Sequence, residues 1–215
     1  MEKSAKLGKL TLLNIILFGF IGQVAWAVEN NFFNTFLFSF GGTTKDISTM
    51  VAASAVVAVV TTFVMGTLSD KLGRRKIFIC AGYVAWGITV MAFAFISREN
   101  LGKLIGADPS SAAALSATVT TVIVMDCIMT FMGSTSNDSA FNAWITDVTV
   151  PSNRAKTEGL LAILPVLALV IVTGVFGFIA GDDAQASDYS TCFLGLGILV
   201  IICGIIGIFT IKDTG

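Results

Sequence analysis

Two carboxylic acids, Glu29 and Asp126, stand inside long apolar stretches of this chain. An ionisable group in such surroundings costs several kcal/mol and marks a candidate functional site. Each acid has polar company at helical spacing. Asp126, Thr130, Gly133 and Asn137 fall at offsets 0, 4, 7 and 11, which at about 100° per residue puts them in one stripe. Gln23, Asn30 and Asn34 share the offsets 0, 7 and 11, with Glu29 beside them and Trp26 one position off the stripe. Amides and carboxylates exchange hydrogen bonds with hydroxyl groups in several directions, and an indole stacks on a sugar face. The chemistry these residues suit is recognition of a small polar solute, with a carboxylate that takes up and releases a proton. The competing reading makes them fasteners between helices, because Asn, Gln, Ser and Thr also bond across helices in membranes. Asp138, further along the Asp126 stretch, reads as structural, with a gating role as the alternative.

The remaining composition excludes other chemistries. There is no histidine, so Ser-His-Asp and Cys-His catalysis and His-ligated metals are out. Cys80, Cys127, Cys192 and Cys203 lie inside apolar runs and read as small buried hydrophobes. With 13 basic and 14 acidic residues of mixed placement, there is no broad basic face for nucleic acid. Neither an enzyme nor a resident cofactor or metal is expected, apart from a coupling ion, H+ or Na+.

The elements that must hold the acids in place are membrane helices. Of the 215 residues, 55% are hydrophobic and 13% charged, against about 25% charged in soluble domains. Apolar runs predict six spans at about 10–40, 47–69, 77–97, 113–143, 159–181 and 189–211, each near or above the length of about 20 residues that crosses a bilayer. The segment between the third and fourth spans reads as a short Gly/Pro/Ser connector. Lys3, Lys6 and Lys9 before an apolar stretch ending Ala25-Trp26-Ala27 also resemble a cleavable secretory signal. The apolar pattern resumes at Phe32, Phe33, Phe36, Leu37 and Phe38, which favours one long helix. Ten of the 13 basic residues fall on one side of these spans, and the opposite loops carry Asp46, Glu99, Asp108, Asp182, Asp183 and Asp188. Retention of basic loops inside the cell predicts both termini cytoplasmic and a multi-pass protein of the cell membrane. Gly177-x-x-x-Gly181 and the glycines of the sixth span read as sites of close helix packing.

Between the second and third spans lies Gly66-Thr67-Leu68-Ser69-Asp70-Lys71-Leu72-Gly73-Arg74-Arg75-Lys76. Gly66 and Asp70 share one face of a helix end, Gly73 suits the left-handed residue that stops a helix, and the basic run can pair with Asp70. This stretch resembles the signature loop of the major facilitator superfamily, Gly-x-x-x-Asp-Arg/Lys-x-Gly-Arg-Arg/Lys, in its proper place. The resemblance implies an all-α membrane protein: a six-helix half-bundle of two three-helix inverted repeats. It also implies a gating latch between Asp70 and the first arginine, Arg74, and a Gly66 face packed on the other half of the molecule. Members have twelve helices, so the resemblance makes this chain half of a transporter. The other half is then further sequence, a second polypeptide or a second copy.

Within the superfamily, the fourth span lacks the basic residue of drug/proton antiporters, and Pro165 lacks their preceding glycines. Met125-Asp126, followed by Thr146-Asp147, Pro151, Arg154 and Lys156, is similar to the glycoside-pentoside-hexuronide symporters related to melibiose permease. There a mid-membrane acid binds the sugar, and the next cytoplasmic loop carries an Asp and an Arg. Those symporters place paired acids on the second helix for a coupling cation; here Ala58 to Met65 offers only Thr61 and Thr62. The expectation is therefore ion-coupled uptake of a sugar or glycoside by alternating access, with a proton favoured and Gln23, Trp26, Glu29, Asn30, Asn34, Asp126, Thr130 and Asn137 at the site. The rival expectation is a non-transporting assembly or receptor protein descended from a transporter.

Overall fold

Backbone amides in hydrocarbon have no water to bond, so apolar runs of this length satisfy them within helices. The computed structural model describes residues 7–179 and 186–213. Lys3, Lys6, Gly181, Asp182, Asp183, Thr214 and Gly215 lie outside the described residues. Among those described there is no strand; the elements are α1 (Lys9–Ser39), α2 (Thr44–Leu72), α3 (Arg75–Ala92) with a 3-10 turn at its end (Phe93–Phe95), α4 (Arg98–Ile105), α5 (Ala112–Gly133), a π-helical segment (Ser134–Phe141), α6 (Asn142–Val148), α7 (Pro151–Ile179) and α8 (Ala186–Thr210). α5, the π segment and α6 run on as one 37-residue span, and among the described residues six helices are long and apolar enough to cross a membrane.

Local chemistry sets the ends. Thr43 and Asp46 form a capping box at the start of α2, and Gly73, at φ 61°, stops it, a conformation that a residue with a Cβ adopts only at a cost. α7 begins at Pro151, well before the apolar run at 159. A proline opens a helix without losing a hydrogen bond, and Arg154, Lys156 and Glu158 ride on its first turns at the end of the bundle. The connector between the third and fourth spans is more ordered than its composition suggests. It holds α4, capped by Ser97 and ended by Gly106 at φ 69°.

The tightest packing joins α3 to α8. A Cβ built on Gly197 would lie 2.6 Å from the Gly87 carbonyl oxygen, and one on Gly204 2.9 Å from that of Cys80, so these glycines let the two backbones touch. Gly177 does not act this way, since a Cβ there meets nothing within 4 Å. α1 packs on α7 as α2 packs on α5 and the π segment, and α1 packs on α8 as α5 packs on α3. Two three-helix repeats related by a two-fold axis in the membrane plane produce this exchange, with the α3–α8 contact on the axis.

The core is largely aromatic at one end, where Phe33 meets Phe93 at a tilt and Phe193 edge to face, with ring centroids 4.4 and 5.4 Å apart. Cys80, Cys192 and Cys203 are buried, Cys127 is half-buried, and all four thiols are free. Val56, Val59 and Phe63 of α2, with Val166, Val170 and Phe178 of α7, point outward, an apolar exterior suited to hydrocarbon.

Candidate functional site

Gln23 sits at the middle of the 31-residue α1 and Thr130 at the middle of the 37-residue fourth span. At that depth α1, α2, α5 and the π segment line an open cavity of about 450 Å³, bordered by Gln23, Trp26, Glu29, Asn30, Val51, Ser54, Ala55, Ala58, Thr130 and Asp138. α3, α7 and α8 contribute none of these lining residues. Ala55 and Ala58 make room on α2, and the volume falls in the range of small-molecule sites.

The polar groups are arranged around two carboxylates. Thr130 Oγ1 donates to Glu29 Oε1 at 3.1 Å, while Glu29 Oε2 is buried with no protein partner. Asp126, only 2% exposed, lies behind the cavity wall, with the Ser54 hydroxyl close to its carboxylate and donating to the Val51 carbonyl at 3.3 Å, and its Oδ1 has no protein partner. Glu29 is within electrostatic reach of both Asp126 and Asp138. No Lys or Arg lines the cavity, and the basic side chains of the spans sit near helix ends. Buried carboxylates that face each other without a guanidinium or ammonium group call for a proton or a small cation.

A hydrogen-bonded chain ties the cavity wall to the core. The Trp26 indole N–H donates to Asn137 Oδ1 at 3.2 Å, Asn137 Nδ2 donates to the Tyr83 hydroxyl at 2.7 Å, and that hydroxyl donates to the Phe18 carbonyl at 2.6 Å. Gly22 and Gly133 make this possible: a Cβ on Gly22 would collide with the Asn137 amide and the Tyr83 hydroxyl, and one on Gly133 with both Trp26 and Trp86.

The structure therefore brings Gln23, Trp26, Glu29, Asn30 and Thr130 together at the cavity. Asp126 and Asn137 are buried beside it, and Asn34 is not among its lining residues. Ser54 and Asp138 also line it; Ser54 carries no expectation from sequence, and Asp138, which reads there as structural, stands on the cavity wall. The buried positions Met50, Ser54 and Thr61 of α2 recur at helical spacing, and that stripe is the signal that marks Ser54.

At the end carrying the basic residues, the ion pair of Asp70 is made with Arg75 rather than Arg74. Gly73 turns the chain back, Arg74 becomes the exposed N-cap of α3, and Arg75 opens that helix over the end of α2. Its guanidinium pairs with Asp70, reaches Asp147 Oδ2 at 3.1 Å and donates to Ser69 Oγ at 2.7 Å. Asp147 lies on α6 and Arg154 on α7, so both expected loop residues are helical. Arg154 Nη2 donates to the Thr146 carbonyl at 2.8 Å. Gly66 faces Ser139 of the π segment, with a Cβ there 3.5 Å from Ser139 Oγ, so its neighbour is the fourth span of this chain.

The signature loop thus joins the ends of α2, α3 and α6 through Arg75. A family model described as Major Facilitator Superfamily matches residues 14–215. The chain belongs to the major facilitator superfamily. No curated protein and no solved structure matches it. Superfamily members are membrane transporters, and transport of a small solute through the bilayer is the class of function that the match assigns.

Proposed function

We propose that this chain forms one half of a secondary active transporter that carries a sugar or glycoside by alternating access, with transport coupled to an ion, a proton being favoured. The observation that carries this reading is the mid-depth cavity. It presents Gln23 and Asn30 amides, the Trp26 indole and the Glu29 carboxylate within about 450 Å³, a donor and acceptor set suited to several hydroxyls. A second six-helix bundle, from further sequence, another polypeptide or a second copy, closes the open side of the cavity. The basic end faces the cytoplasm of the cell membrane, and the Asp70–Arg75–Asp147 cluster holds that end in one of two states. Asp126 and the Asp147/Arg154 pair favour kinship with the melibiose permease-like symporters. In place of paired acids on α2, the coupling cation meets Glu29 and Asp126, with Ser54 and Thr130 as neutral partners.

The test is accumulation of labelled sugars and glycosides in energised membrane vesicles containing the complete transporter. Glu29→Gln and Asp126→Asn should each abolish gradient-driven accumulation, and Glu29→Gln should also weaken solute binding. Unchanged accumulation in both variants refutes the site. Absence of any flux, with or without a gradient, favours the assembly or receptor reading instead.

A further inference from the structure

Asp138 lines two cavities at once. One is the mid-depth cavity with Glu29. The other, of about 130 Å³, lies toward the basic end and is lined by Gln23, Asn137, Asn142, Glu158 and Leu161 among others, with room for about four waters at about 30 Å³ each. No Lys or Arg lines either one. The π winding of 134–141 places Asp138 here, and π segments interrupting α-helices are frequent at functional sites.

Asp138 is held but not neutralised. Ser134 Oγ donates to its Oδ2 at 3.0 Å, and the Trp26 indole also faces its carboxylate. The titratable groups around it are Glu29 on α1, Tyr83 on α3 and Glu158 on α7. Beyond Glu29 lies Asp126, buried with Oδ1 unpartnered. Asp126 does not line the first cavity, which is lined by Glu29 and Asp138, so the route from the pair to Asp138 runs through Glu29. Glu158 is exposed at the far side of the second.

We propose that Asp138 is a proton relay between the Glu29–Asp126 pair and water at the Glu158 end. A proton leaves the carboxyl of Glu29, passes over water in the first cavity and binds the Asp138 carboxylate. The Asp138 O–H then breaks toward the second cavity, and the proton passes to Glu158 and bulk water. Each transfer breaks one O–H bond and forms another, leaving the donor carboxylate ready for the next proton. The relay rests on the proton-coupled reading above, and its test needs no solute and no flux, so the two fail separately.

The experiment is infrared-detected hydrogen–deuterium exchange of the protonated carboxyl band of the full chain in lipid vesicles, followed from mildly acidic to mildly alkaline pH. Asp138→Asn keeps the size of the side chain and an oxygen for Ser134. It should slow exchange of the Glu29–Asp126 band by about a hundredfold, the low end of what a positioned proton-transfer group contributes. Glu158→Gln should slow it less, being at the aqueous mouth. Leu161→Phe leaves every carboxyl in place, fills the smaller cavity and should also slow exchange; it carries the test if Asp138→Asn does not fold. Exchange at the wild-type rate in Asp138→Asn, or in Leu161→Phe if that variant alone folds, overturns the relay, as does absence of an exchangeable buried carboxyl band in the wild type.

Discussion

Arg75→Ala should destabilise the bundle far more than Arg74→Ala, although the two arginines are adjacent. Arg75 is 12% exposed and its fork reaches three partners. Ser69 is 0% exposed, and losing its hydrogen bond to a charged donor costs about 1.5 kcal/mol. Asp147 is 35% exposed, so its pair with Arg75 adds about 0.5 kcal/mol after screening. Asp70 is 62% exposed and adds less. The total is about 2 kcal/mol, or about 4–8 °C in Tm for a chain of this size. Arg74, an exposed N-cap without a capping hydrogen bond from its side chain, should stay within about 0.5 kcal/mol of neutral. Arg75→Lys keeps the charge but not the fork, so it should recover only part of the loss.

The assay is thermal unfolding of the purified chain in one detergent, extended to double-mutant cycles. Coupling of Arg75→Ala with Asp147→Asn should exceed that with Asp70→Asn, following their exposures. If Arg74→Ala lowers Tm as much as Arg75→Ala, or if Arg75→Lys is silent, the fork is not what joins these helix ends.

Asn137→Leu removes both bonds of the Trp26–Asn137–Tyr83 chain and leaves the indole N–H without that acceptor, which should cost about 1–3 kcal/mol in the same melts; an unchanged Tm refutes the chain's structural weight. Gly197→Leu drives a side chain into the Gly87 carbonyl and the Met91 backbone and should cost about 1–3 kcal/mol or prevent folding, read as loss of the monodisperse peak in size-exclusion chromatography. In cells, a membrane-impermeant maleimide should label Lys45→Cys from outside and leave Lys212→Cys unlabelled until the membrane is opened; the reverse pattern inverts the proposed orientation.

Much of the architecture was legible in the residues because membrane helices are written locally. Charge-free length fixes a span within itself, Gly73 stops α2 through its own backbone freedom, and Pro151 opens α7 through its missing N–H. The half of the site on α1 was legible for the same reason, since Gln23, Glu29 and Asn30 belong to one helix whose period is constant. The stripe on the fourth span was less secure. It assumes α-helical winding throughout, and Ser134–Phe141 winds as a π-helix, so Asn137 and Asp138 both come toward Trp26. No local propensity marks that change.

What the sequence determined by itself is therefore the solvent, the six spans and the superfamily loop, all properties of consecutive residues. Only the tertiary structure decided the partners across helices. It chose Arg75 over Arg74 for Asp70, joined the α2–α3 turn to Asp147, brought Ser54 to Asp126, and set Asp138 between two cavities. Those choices depend on how rigid helices meet at their glycine contacts and where one span changes its winding. Both come from packing many distant residues at once, which neighbouring residues cannot encode.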